Sequence, residues 1–405
     1  MVTKERISVP KRLGTAFTVL AMLLVGTTLF AQQARPVVIL NEAPVSGAYT
    51  QTGLDQTRGT ELAIEMYGGK VLGRPIQLIH RDTPNPSESV RRAREVVERF
   101  GAEFIQVGTS SSVALAVMEY AREAGVIALV HAGSDSITGE NCNEFTFRWQ
   151  TPTYGAAEEV VTQLMKMGKK TFYTITPEYI FGEDLLKNTK RVLDRDGGKL
   201  LGNAYHPLGA LEYGSHILSA MAAKPDVILL LNFGADTVNS LKQAVSYGAN
   251  RRSTLAAAWG GGINELRAVG SEVLEGVIIG QQYYHRVNTP RNKEFVDAYY
   301  KRYGEYPPYM AAAGFDQITA LLKAIEKAGT TDATAVAKAL ENLRFGSLFG
   351  DSAYYRSCDH NLIKPYLTLR AKSVKEKEYP DDFAEIISQS SIYVPCDKSD
   401  CKMGR

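Results

Sequence analysis

The feature that most constrains this chain is a recurring order of short apolar strand, small-residue loop and amphipathic helix, clearest over 104–134. Phe104-Ile105-Gln106-Val107 reads as a buried strand. Gly108-Thr109-Ser110-Ser111-Ser112 follows, and Val113, Ala116, Val117 and Tyr120 then recur at helical spacing along one face. Gly125 ends that helix, 126–130 is the next buried strand, and Ala132-Gly133-Ser134 closes it. In a parallel sheet the carboxyl ends of strands and the amino ends of helices meet along one edge. Unpaired helix N–H groups and serine hydroxyls there suit a carboxylate or a phosphate. The competing reading of Ser110, Ser111 and Ser112 is plain helix capping.

The same order runs through the rest of the chain. Strand 37–40 leads through Pro44-Val45-Ser46-Gly47-Ala48-Tyr49 to a helix over 53–67. Strand 76–79 and the turn Pro84-Asn85-Pro86-Ser87 follow, with Ser87 expected to cap a helix over 88–100. After Gln150-Thr151-Pro152 the alternation restarts. It gives helices at 154–166, 183–194 and 237–247, and strands at 171–176, 200–205, 226–231 and 254–258. Long helices are predicted at 290–303 and 314–328, and 372–405 reads as a charged, irregular surface tail. The predicted fold class is α/β, two doubly wound lobes in sequence with a cleft between them.

With 405 residues the chain has room for two domains. A net charge of +2 and the lack of a basic run with interleaved aromatics argue against nucleic acid as a partner. Lys4, Arg6, Lys11 and Arg12 precede an uncharged, mostly apolar stretch over 13–30, the layout of a secretory signal peptide over 1–31 with cleavage after Ala31. A single membrane anchor is the alternative. The mature chain is thus expected in the periplasm, where Cys142, Cys358, Cys396 and Cys401 can form disulfides. Four cysteines allow three pairings, and spacing leaves them open. A partner for Cys358 is expected in Cys396 or Cys401, because the tail must return to the body to be ordered.

Several stretches together resemble a known family: Pro44-Val45-Ser46-Gly47, Gly108 with 111–116, Ala132-Gly133-Ser134, Phe147-Arg148, Phe181-Gly182-Glu183-Asp184-Leu185, Gly234-Ala235-Asp236-Thr237, Gly314-Phe315-Asp316 and Cys358-Asp359-His360. In this order and spacing they resemble type I periplasmic substrate-binding proteins of ABC transporters, of the leucine/isoleucine/valine-binding family. The resemblance spans 37–369. It implies three hinge crossings, placed near Gln150, Gly280 and Gly350. Lobe one is then 37–150 plus 281–349, lobe two 151–280 plus 350–369, and 370–405 a C-terminal tail. It also implies a small-molecule ligand, a permease in the inner membrane as partner, and no cofactor.

By position in that family, Ser111 and Ser112 with the backbone around them take the ligand's carboxylate. Ala132 and Ser134 take its other polar end. Tyr179 and Phe181, on a loop of lobe two, close over its apolar side, and Phe233 falls near a further contact. Trp259 stands where amino-acid-binding members place an acid for the ammonium group, and Glu265 lies several residues later. The resemblance therefore implies a branched-chain amino acid type of solute. Trp259 in place of the acid favours an aromatic or other non-amino carboxylate, or an amide. A ligand-sensing module and a hydrolase are the other readings. Against a hydrolase, the six histidines form no HExxH pair, no GxSxG surrounds a serine, and no Cys/His cluster suggests a metal site. His131 is expected to be structural.

Overall fold

The computed structural model describes residues 35–403, together with Met1 and Thr3. But for those two, the expected signal segment lies outside the described residues. Among the described residues no helix is long and apolar enough to cross a membrane.

The first lobe is built on β1 (Val37–Glu42), α1 (Thr50–Met66), β2 (Lys70–Val71), β3 (Arg74–Arg81), α2 (Pro86–Phe100), β4 (Phe104–Gly108), α3 (Ser111–Ala124), β5 (Ile127–His131) and β6 (Thr146–Arg148). The strands form a sheet in the order β2-β3-β1-β4-β5-β6, parallel apart from the β2–β3 pair. The second lobe begins with α4 (Thr153–Lys166), β7 (Thr171–Pro177), α5 (Ile180–Asp196), β8 (Lys199–His206), α6 (Gly214–Ala223), β9 (Val227–Leu230), α7 (Ala235–Ser246), β10 (Thr254–Ala257), α8 (Ile263–Val269), α9 (Ser271–Leu274) and β11 (Ile278–Gln281). The chain then runs through α10 (Pro290–Tyr303), α11 (Tyr309–Ala328) and α12 (Ala333–Leu340). It ends in the hairpin β12 (Tyr354–Tyr355) and β13 (Leu362–Ile363), followed by β14 (Tyr366–Ala371) and β15 (Ala384–Ser390). The second sheet has the order β15-β14-β11-β10-β9-β7-β8, with β14 and β15 antiparallel additions to a parallel core. The fold is therefore α/β, with two doubly wound lobes joined by three crossings.

Periodicity explains the packing. In β1, Val38 and Leu40 face α2 and α3 together with Ile105, Val107 and Val130, while Val37 and Ile39 join the opposite face. That opposite face belongs to an apolar cluster running through both lobes, from Phe104 and Leu129 to Phe172, Leu229 and Ile278. Strands covered on both sides read as unbroken apolar runs, as these do.

The structure departs from the sequence reading at several points. Asn85, not Ser87, caps α2: in an extended conformation its side chain accepts the Glu88 N–H, and Pro86 at the first helical position has no N–H to satisfy. Helix α5 starts at Ile180, so Phe181 and Gly182 are helical rather than loop. Gly182 marked a loop by composition, yet it sits in the first turn, where no intrahelical N–H bond is lost. The third crossing follows Ile363, not Gly350. The β12–β13 hairpin stays beside the first sheet through a bridge between Arg148 and Asn361 and a stack of Phe147 on His360 at 3.9 Å. Finally, the tail carries an edge strand, β15, paired to β14 along its length. Its one charged residue, Glu385, stands between Ala384 and Ile386, which pack on the lobe.

Candidate functional site

The carboxyl edges of the two sheets face each other, and the sequence-predicted residues lie on them. Ser111 is the first residue of α3 and is buried, and Ser112 sits half-exposed in the same turn. Ser110 occupies the cap position but its hydroxyl does not cap the helix, so the first N–H groups of α3 keep their capacity for an acceptor. The Ser111 hydroxyl accepts the Ser134 N–H at 3.2 Å, which joins the ends of β4 and β5. Ala132 is buried beside them. The Ser134 hydroxyl reaches across to lobe two and donates to Asp184 at 2.5 Å. Burial holds that carboxyl above its usual range, and the Ser134 hydrogen bond opposes the shift.

Opposite these groups stands a wall of rings. Tyr179 and Phe181 are 5.8 Å apart between centroids, Phe181 meets Phe233 at 6.5 Å, and Phe181 meets Trp259 edge-on at 5.1 Å. Gly133 permits the approach from lobe one: a methyl group on it would stand 2.8 Å from the Trp259 ring and 2.9 Å from Phe181. All eight sequence-predicted residues thus sit on the two facing edges, and the lobes are shut on one another.

Sequence reasoning missed two members of the wall. Tyr49, after β1, lies 5.3 Å from Phe233, and its phenol oxygen is 2.7 Å from that of Tyr179. Tyr309, at the start of α11, packs on Phe233 at 6.0 Å. Both are buried, and burial pushes both phenols above their usual range. Tyr49 ends the loop whose Pro44–Gly47 part carries the family pattern, which was the available signal. Tyr309 has no local mark.

Acids stand near the wall without touching its centre. Burial raises the Tyr49 and Tyr179 phenols, and the charge of Asp236, in the first turn of α7, adds to the shift. Glu265 folds back to accept the Gly262 N–H at 2.6 Å, in the turn that follows Trp259. Burial raises its carboxyl, and its charge in turn acts on Tyr309. Farther out, an open volume of about 600 Å³ separates α1 from α7 and α8, lined by Leu54, Arg58, Val238, Asn264 and Arg267. The Asn264 amide bridges it to Asp55 of α1, whose buried carboxyl is held well above its usual range, first by desolvation and then by Glu265. His131 is fully buried, faces Gln317, and is kept neutral by desolvation with its pKa pulled down to about 3. No group of three His, Cys, Asp or Glu side chains arranged to hold a metal occurs among the described residues.

Behind the cleft, the crossings meet in a buried polar knot. The Lys364 ammonium donates to the Gln282 side-chain oxygen at 2.7 Å, to the Gln282 carbonyl at 3.1 Å and to the Thr151 hydroxyl at 3.4 Å. Gln282 in turn accepts the Thr151 N–H at 2.9 Å and donates to its carbonyl at 3.0 Å. Lys364 also lies over the Trp149 ring at 4.2 Å, and the Trp149 N–H donates to Asp316 at 3.0 Å. One residue from each crossing is thereby bonded to the other two.

Known proteins share this architecture. The sequence profile of the periplasmic binding protein family matches residues 36–377. An amino acid ABC transporter substrate-binding protein from Pseudomonas fluorescens Pf-5 is 38% identical, with a TM-score of 0.88 covering 91% of this chain and 100% of that one. A periplasmic binding protein from Burkholderia mallei is 28% identical, with a TM-score of 0.87 over 92% of this chain and 100% of its own. The Leu/Ile/Val-binding protein homolog 7 of Brucella suis is 28% identical over 315 residues, 73% of this chain and 78% of that protein. Two lobes built on mostly parallel sheets agree with these matches, and the chain belongs to the periplasmic binding protein family, type I, of ABC transporters.

Proposed function

We propose that this chain is a non-catalytic, exported receptor that captures a small carboxylate-bearing solute with a flat or apolar body and hands it to an ABC permease in the inner membrane. The observation that carries the reading is the pairing of the uncapped α3 start at Ser111 with a wall of six rings, Tyr49, Tyr179, Phe181, Phe233, Trp259 and Tyr309. Each hydrogen bond from Ser111 or a helix N–H to a carboxylate contributes roughly 1.5–3 kcal/mol. Rings offset or edge-on to one another leave flat faces that suit a planar ligand. Export rests on the basic and apolar order of the first thirty-one residues.

Within that reading, an aromatic carboxylate is the solute the wall fits best, because Trp259 presents a ring where an ammonium group would need a charge. Glu265 supports a second reading. It folds onto the turn after Trp259 and acts on Tyr309, so it could meet the ammonium of a zwitterionic amino acid of the branched-chain type. Calorimetry with benzoate and with leucine separates the two. Benzoate binding that is lost in Trp259→Ala is the expected result. Tight leucine binding that survives Trp259→Ala overturns the first reading, and its loss in Glu265→Gln would establish the second.

A further inference from the structure

The C-terminal segment does not stay with the lobe whose sheet it completes. After β15 ends at Ser390, the chain turns back toward lobe one and is fastened there twice. Cys396 is bonded to Cys358, in the turn of the β12–β13 hairpin beside β6. Cys401 is bonded to Cys142, in the loop between β5 and β6. Between these anchors and β15, Tyr393 enters the hinge knot. Its phenol donates to the Leu362 carbonyl at 2.6 Å, accepts the Lys364 N–H at 3.2 Å and lies 3.3 Å from the Thr151 hydroxyl. The backbone fits flush against α4: a methyl group on Gly155 would stand 2.2 Å from the Ile392 carbonyl oxygen. The family profile ends at residue 377, so this segment lies beyond the part of the chain that the profile describes.

We propose that 391–403 is a strap, a covalently anchored fourth crossing that limits how far the two lobes open. Three crossings alone act as a hinge whose few residues absorb the rotation. Only five residues, 391–395, separate the end of β15 from Cys396. Fully extended, that link spans about 20 Å, and it is already engaged at Tyr393 part of the way along. A rotation that carries β15 away from the β12–β13 hairpin must therefore first pull the Tyr393 phenol out of the knot and then draw the link taut. Because both anchors are on one lobe and β15 is hydrogen-bonded into the other, the strap resists opening. The inference does not depend on which solute binds.

The test is small-angle X-ray scattering from the ligand-free, full-length exported protein, with thermal melting as the check on folding. Wild type should scatter near the radius of gyration of about 21 Å typical of a compact chain of this size. A variant carrying Cys142→Ser, Cys358→Ser, Cys396→Ser and Cys401→Ser should show a rise on the order of 1 Å. Tyr393→Phe, with both disulfides intact, should show a smaller rise. A cooperatively melting four-serine variant whose scattering superimposes on wild type overturns the proposal. If that variant does not melt cooperatively, Tyr393→Phe decides alone, and an unchanged radius again overturns it.

Discussion

The cleft and the hinge are both buried interfaces between the same two lobes, yet they are made of opposite materials. The cleft is closed largely by ring faces, Trp259 and Phe181 against Gly133 and Tyr49 against Phe233, with polar contacts such as Ser134–Asp184 at its margins. The hinge is closed by directional bonds around the buried Lys364 side chain, which donates to oxygens of two other crossings. Apolar faces can part and be wetted at a cost that scales with area, whereas a dry ammonium and its acceptors cannot be separated without full desolvation penalties. The difference predicts where motion goes: the cleft is expected to part and the hinge to rotate in place. The two tryptophans of the chain fall one on each side of this divide, Trp149 in the hinge and Trp259 in the cleft.

The largest effect expected from this contrast is in stability. Trp149→Ala should cost about 4 kcal/mol, since it opens a cavity in a tightly bonded region and takes one of three donors from the buried Asp316 carboxylate, leaving Ser347 and the Leu348 N–H. Trp259→Ala should cost only about 1–2 kcal/mol in the ligand-free protein, because an opening cleft relieves the cavity. Chemical denaturation of the two variants checks this, and equal losses would erase the distinction between the regions.

Lys364→Ala should cost about 3 kcal/mol by taking a donor from the Gln282 side chain and the Thr151 hydroxyl and by leaving the buried Gln282 carbonyl without its Lys364 partner. Its pH dependence sharpens the point. Burial lowers the Lys364 pKa well below its ordinary value, so the unfolded chain binds a proton that the folded chain holds weakly. Stability contributed by this group therefore rises as pH climbs from the lowered pKa toward the ordinary lysine value, and is flat and at its lowest below that window. The difference in stability between wild type and Lys364→Ala, followed by denaturation across pH, should grow with pH in that window. A flat difference would mean that the ammonium is not desolvated in the knot.

Ser111→Ala touches the cleft alone. It should weaken binding of a carboxylate ligand by about 1–3 kcal/mol in calorimetry while leaving the melting temperature of the ligand-free protein close to wild type. A large drop in melting temperature would mean that Ser111 is a structural cap and that the bond to the Ser134 N–H is its main purpose.

These regions were not equally legible in the sequence. The sheets and their order follow from apolar runs such as 126–130 and from glycines at helix ends, where Gly101, Gly125 and Gly197 adopt the left-handed conformation that closes α2, α3 and α5. Ser111, Ser134, Phe181, Phe233 and Trp259 stand at the ends of such runs, so the strand pattern itself marks them. The hinge left no such mark. Lys364 reads as a surface charge beside Pro365, and its burial arises from three chain segments far apart in sequence. Tyr309 joins the ring wall from a helix start that the apolar period places five residues later, at Gly314. The edge strand Ala384–Ser390 was hidden by the charged residues through 372–382 before it, whereas the cysteines did mark the return of the tail to Cys358, which Cys396 makes.

The central claim, that the cleft parts while the hinge holds, is most directly tested by acrylamide quenching of single-tryptophan variants in the ligand-free protein. Trp149 and Trp259 are 0% and 3% exposed in the closed arrangement, so closure alone gives both rings the same protection. The account expects Trp259, observed in Trp149→Phe, to be quenched several-fold more steeply than Trp149, observed in Trp259→Phe, because only the cleft opens to solvent. Equal and shallow quenching of the two would contradict it.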